Sequence, residues 1–85
     1  MRHFSERLQT LNGSFTFYFN GDELSDNMLM VSVADHYKTH IFYLLKFNGA
    51  WIISPKENNP SWINSLEETL QKLVIEKFMQ TATAV

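Results

Sequence analysis

Three histidines and one aspartate are the first side chains in this chain that suggest chemistry. His36 and His40 stand four residues apart with Asp35 beside the first, and His3 is the only other imidazole. Imidazoles at i and i+4 share one metal-binding face only on a helix. Here they span "DHYKTH", a turn followed by the start of a strand, so the spacing favours turn and strand-edge residues over ligands. No metal and no cofactor is expected.

The loop "NGDELSDN" supplies Asp22, Glu23 and Asp26, oxygen donors of the kind calcium accepts. It lacks the D-x-[DN]-x-[DN]-G spacing and the closing glutamate of a calcium loop. A solvated hairpin loop is the expectation. Catalysis would need a nucleophile, base and orienter, or paired carboxylates held at a site. None of the seven serines sits in a G-x-S-x-G context, and no glycine-rich phosphate loop occurs. Glu67 and Glu68 are adjacent, which on a helix points them about 100° apart. No catalytic residue is expected, and the chain reads as a non-enzyme.

Phe15, Phe17 and Phe19 alternate along "SFTFYFNG" and so share one face of a strand. Aromatic rows on sheets can stack nucleic-acid bases, but such platforms carry basic neighbours. Here Arg2, Arg7, Lys38, Lys46, Lys56, Lys72 and Lys77 are scattered, and the formal charge is −2. Nucleic acid is therefore not an expected partner. There are no cysteines, which excludes disulfides and thiolate chemistry. No apolar run reaches the 18 or more residues of a membrane span, so no membrane partner is expected and the expected location is the cytoplasm.

The elements that must position these residues read as one α+β domain over 1–80, with a frayed tail at 81–85. With 45% hydrophobic residues and 14% aromatic, the chain can offset its conformational entropy in a folded core. "FSERLQTL" places Phe4, Leu8 and Leu11 at helical spacing, and Asn12-Gly13 fits a helix stop; a short helix over 4–11 is preferred to a strand turned by the same dipeptide. Strands follow over 14–19 and 28–34. The stretch "HIFYLLKFNGAWIIS" is a hairpin about Asn48-Gly49 that pairs Phe47 with Ala50, Lys46 with Trp51, Leu45 with Ile52 and Leu44 with Ile53. Pro55 ends it.

In "NPSWINSLEETLQKLVIEKFMQ", Asn59 is a cap and Pro60 a first helical residue. Ile63, Leu66, Leu70, Leu73, Val74 and Phe78 make an apolar stripe opposite Glu68, Thr69, Lys72 and Glu76. The expected fold is thus a two-layer, four-stranded antiparallel meander, with one long C-terminal helix on one face and a short N-terminal helix toward the other.

That hairpin is apolar on both faces. One holds Ile41, Tyr43, Leu45, Phe47, Ala50 and Ile52; the other holds Phe42, Leu44, Trp51 and Ile53, interrupted only by Lys46. A helix of eight residues, about 12 Å long, cannot cover a second face roughly 17 Å by 15–20 Å. The uncovered face would exceed the roughly 300–600 Å² patch of a typical monomer. A protein-interaction module is the reading that follows, most simply a homodimer. Its expected interface is Phe42, Leu44, Trp51 and Ile53, with Met28 and Met30 added if strand register permits. The alternative is a small-ligand or regulatory domain with an aromatic-lined pocket.

Overall fold

The computed structural model describes residues 3–22 and 25–83, with side chains described except at 22, 25 and 78–83. Five strands form one antiparallel sheet in chain order: β1 (His3–Thr10), β2 (Gly13–Asp22), β3 (Ser25–Ala34), β4 (Thr39–Phe47) and β5 (Ala50–Ser54). Two helices follow, α1 (Ser61–Asn64) and α2 (Glu67–Thr83). The architecture is α+β, with five strands where four were expected and two short helices where one long one was expected.

The N-terminal segment is a strand and not a helix. Phe4 and Leu8 are four apart, a spacing that suits a helical face and is equally an even number, so it also suits one face of a strand. Pairing with β2 decides the matter, because Phe4 lies opposite Phe19 and Leu8 opposite Phe15. The Phe4 and Phe19 rings stack at 4.4 Å. Leu11, the third residue of the supposed helical face, is 80% exposed at the turn. Thr10 closes that turn: its hydroxyl donates to the Gly13 carbonyl at 2.7 Å and accepts the Asn12 N–H at 3.0 Å.

The β4–β5 hairpin has the register read from the sequence, Phe47 opposite Ala50 through Leu44 opposite Ile53. Asn48 and Gly49 both take positive φ, 52° and 83°, which matches the right-handed twist of the flanking strands. The β3–β4 turn is held by Asp35, whose Oδ1 accepts the N–H groups of Tyr37 and Lys38, both at 2.8 Å. An aspartate side chain that mimics a backbone turn in this way explains why "DHYK" reverses the chain without glycine.

The helical segment breaks at Ser65-Leu66. Pro60 sits in extended conformation as the N-cap of α1 and not as its first residue. Asn59 donates instead to the Pro55 carbonyl and to Asn64. The Ser65 hydroxyl back-bonds to the Trp62 carbonyl at 3.0 Å before α2 resumes. The expected stripe survives the break, with Ile63, Leu66, Leu70 and Val74 buried and Leu73 packed against them. The side chain of Phe78 lies outside the described residues. α2 continues to Thr83, into the segment expected to be a tail; Ala84 and Val85 lie outside the described residues.

α2 begins beside β5, where Glu67 accepts the Ile53 N–H at 2.8 Å. It reaches β1 ten residues on, where Lys77 lies 3.4 Å from Glu6 and over the Phe4 ring. At about 1.5 Å per residue this is a diagonal of roughly 15 Å across one face of the sheet. The core lies between that face and the helices: Phe15, Phe17, Phe19, Leu29, Val31, Val33, Phe42, Leu44, Trp51 and Ile53 from strands, and Trp62, Ile63, Leu66, Leu70 and Val74 from helices.

Candidate interaction surface

Register settles which face of the sheet is open. Val31 pairs with Phe42, Leu29 with Leu44 and Leu44 with Ile53, so these residues share the helix-covered face. Phe42 and Leu44 are fully buried there, and Trp51 and Ile53 are nearly so. The four residues expected at an interface are therefore internal packing. The hairpin's alternation makes its two faces equivalent in sequence, and the position of the helices breaks the tie. Met28 and Met30 pair with Leu45 and Tyr43 and belong to the opposite, outer face. The site expected as one patch is split between the two sides of the sheet.

The outer face divides along its width. Its β1–β2 half is polar and internally paired: the His3 and Asn20 side chains meet at 2.7 Å, Arg7 donates to Thr16, and the Ser14 hydroxyl donates to Gln9. Its β3–β5 half is apolar, with Met28, Met30, Ile41, Tyr43, Leu45, Phe47 and Ile52, and Tyr18 adjoins it from β2. Ile41 is 57% exposed and Phe47 66%. Between Asp26, at the overhanging end of β3, and Arg7, on β1, the described outer face carries no formal charge.

Size supports treating this half as a surface with a role. Tyr18, Tyr43 and Phe47 are 37–66% exposed, and aromatic side chains of about 150–250 Å² then leave roughly 300 Å² in water. Met30, Ile41 and Ile52 are each more than a third exposed and add to it. The sum lies at or beyond the roughly 300–600 Å² of the largest patch on an ordinary monomer. Asn20, Gly21, Met28, Met30 and Tyr43 line a hollow of about 200 Å³ in the same face.

The sheet edges look different. β5 is short, ends at Pro55, and has the Ile53 N–H occupied by the Glu67 carboxylate. Lys56 Nζ also holds that carboxylate, 3.0 Å from Oε2 and 3.1 Å from Oε1. Desolvation pushes the Glu67 carboxyl up, but the Ile53 N–H and the Lys56 ammonium outweigh it and hold the group below its ordinary value. At the other edge, Glu6 points a charge toward the helix side of β1. If β1 met a second β1 antiparallel over most of its length, either Glu6 would face Glu6 or Arg7 would face Arg7. Like charges directly opposite are destabilising, and inward charges, short strands and proline are the devices that keep edges from pairing.

The pair His40–Asp35 braces the β3–β4 turn against the core. His40 Nε2 lies 2.8 Å from Asp35 Oδ2, and its ring meets Trp62 edge-on at 5.7 Å. Both Asp35 oxygens are engaged. The His40 ring, and then the Lys38 and Tyr37 N–H groups, hold its carboxyl well below the usual carboxylate range. His3 lies across the sheet on β1. No group of three metal-ligating side chains occurs among the described residues. Of the acidic loop, Asp26 is exposed, while Glu23 and the Asp22 side chain lie outside the described residues.

Trp62 is the core residue that the sequence stripe omitted. It stands four residues before Leu66, so the same periodicity could have found it. No described helix is long and apolar enough to cross a membrane. Comparison with family models, with curated proteins and with solved structures gives no match.

Proposed function

We propose that this protein is a non-enzymatic interaction module that associates through the outer face of its sheet, as a back-to-back homodimer. The observation that carries the reading is the uncharged half-face on β3–β5 rich in Met, Tyr, Phe and Ile. Protein interfaces are distinguished by charge depletion and by enrichment in aromatic residues and Met, surrounded by a polar rim. The paired polar side chains of β1 and β2 supply such a rim on one flank.

The guarded edges favour stacking of faces over extension of the sheet. Five strands at about 4.8 Å spacing and eight residues at about 3.3 Å give a face of roughly 600 Å² in plan. Side-chain relief raises its accessible area toward the roughly 800 Å² per partner of a standard interface. A two-fold dimer needs only this one self-complementary patch. For an 85-residue domain, sharing a core with a second copy is a common source of added stability. The 200 Å³ hollow falls below the roughly 300–1,000 Å³ of small-ligand pockets, which favours a partner's side chain over a metabolite as its occupant. The expectation of a cytoplasmic location rests on the sequence alone.

The test is solution mass by light scattering across a range of concentrations. Wild type should approach twice the 9.9 kDa chain mass, and Ile41→Lys should remain at the chain mass with unchanged circular dichroism. A strictly monomeric wild type, or an Ile41→Lys variant that still dimerises, would remove this reading.

A further inference from the structure

We propose that a second site, the cleft between the β1–β2 tip and the β3–β4 turn, binds a compact organic cation of the methylated-ammonium class. The meander brings both turns to the same end of the sheet, where Phe15 borders them from the helix-covered face. They enclose about 350 Å³ lined by Asn12, Phe15, Asp35, His36 and Tyr37. That volume falls within the range of small-ligand sites.

Three of the five lining groups are aromatic rings. Phe15 is fixed in place, since its ring lies 5.4 Å from Trp62 and meets His36 edge-on at 5.9 Å. Tyr37 stands at the mouth and is 92% exposed, so its ring contributes little to the fold. An aromatic face is electron-rich and attracts a cation within about 6 Å, most effectively one that sheds its water easily, as alkylated ammonium does.

Asp35 supplies the one formal charge among the lining residues. Three hydrogen bonds, from the Tyr37 and Lys38 N–H groups and from the His40 ring, keep that carboxylate at the cleft wall. Lys38 belongs to the same turn but is not part of the lining. An anion would be repelled by Asp35, whereas a neutral apolar ligand would gain nothing from it. Rings together with a fixed carboxylate complement a cation.

The probe is choline chloride, titrated into isotopically labelled protein while amide resonances are followed. Its controls are sodium chloride at equal ionic strength and the neutral isostere in which tert-butyl replaces trimethylammonium. Saturable shifts are expected at residues 12 and 35–38, with a millimolar Kd and at least about tenfold preference for choline over the isostere. Tyr37→Ala should keep the folded spectrum and weaken choline binding at least about threefold. Absence of saturable shifts up to about 100 mM choline, equal affinity for the isostere, or shifts reproduced by sodium chloride would each overturn the assignment.

Discussion

Ile41 and Phe42 are neighbours in the chain and opposites in the fold, and truncating each in turn separates packing from association. Phe42 is fully buried against the helices, so Phe42→Ala should cost about 3–5 kcal/mol through lost burial and a residual cavity. An 85-residue domain at about 0.05–0.15 kcal/mol per residue has roughly 4–13 kcal/mol in total. That one truncation therefore removes between about a quarter of the stability and all of it. Ile41 has already left 57% of its surface in water. Ile41→Ala should cost the monomer only about 1 kcal/mol, from the part that is buried. In a dimer the exposed part counts as well. The assay is urea unfolding followed by tryptophan fluorescence at two protein concentrations a factor of about 100 apart, a range over which a linked dimer gains up to about 2.7 kcal/mol. Wild type should show that concentration dependence. Phe42→Ala should retain it at lower stability, and Ile41→Ala should lose most of it. If Phe42→Ala kept wild-type stability and abolished the concentration dependence, the assignment of the two faces would be reversed and the reasoning refuted.

Four further outcomes can be checked directly. Glu67→Ala should destabilise by about 1–2 kcal/mol, the worth of a hydrogen bond to a charged group, and Glu67→Gln should cost less because its amide oxygen still accepts the Ile53 N–H; hydrogen exchange at Ile53 should be protected in wild type and fast in Glu67→Ala. Asp35 and Glu67 both have lowered pKa values in the fold, so their stabilisation is complete above the unfolded carboxylate range near pH 4 and is lost as pH falls through the folded values; a urea midpoint that rose on acidification below pH 4 would contradict this sign. Asp35→Asn should flatten the acid limb, lower the melting temperature and speed amide exchange at Tyr37 and Lys38, since an amide holds the turn and the His40 ring less strongly. Gly49 has a φ of +83°, and a Cβ added there would meet nothing within 4 Å, so Gly49→Ala should cost about 1–2 kcal/mol of backbone strain without a clash, measured as a shift in the urea midpoint.

How much of this was legible in the sequence depended on whether the deciding interaction was local. Asn48-Gly49 fixes its own hairpin because both residues must take positive φ, and the register out to Leu44 and Ile53 follows from two-residue geometry. The apolar stripe from Ile63 to Val74 was legible for the same reason, since its period is set within the helix. The segment 4–11 was not, because Phe4 and Leu8 satisfy both periodicities and only β2, with Phe15 and Phe19 opposite them, selects the strand. The break at Ser65 was also hidden, since a serine back-bonding to the Trp62 carbonyl resembles any helical serine until the tertiary fit of Trp62 against Phe15 and His40 is known. The interface residues failed at one further remove. Parity groups Phe42 with Leu44 correctly, but parity is symmetric under exchange of the two faces.

What breaks that symmetry is a small set of side chains that tie the helices to one side. Glu67 takes the Ile53 N–H at the β5 edge. Trp62 inserts beside His40, Phe15 and Phe17. Lys77 reaches Glu6 and Phe4 on β1. Each contact joins residues more than ten apart in the chain, and each would be absent had α2 crossed the other face. The outer residues give a physical reason for the choice. On the outer face Ser32 lies among apolar groups, and Thr16 and Asn20 border them, each held by a β1 side chain, while the only polar side chain buried from β2–β4 among the described residues is the hydrogen-bonded His40. Burying the outer face under a helix would leave the Ser32 hydroxyl to find a partner in a dry layer, at about 1–3 kcal/mol if unsatisfied, and would take the Arg7 charge that holds Thr16 out of water. A second sheet face, which can keep water between polar rims, covers such a mixed surface at lower cost than a helix does. The hairpin's two apolar faces are therefore not redundant: one is dry enough for the chain's own helices, and the other, polar at its margin, suits the proposed sheet-to-sheet contact.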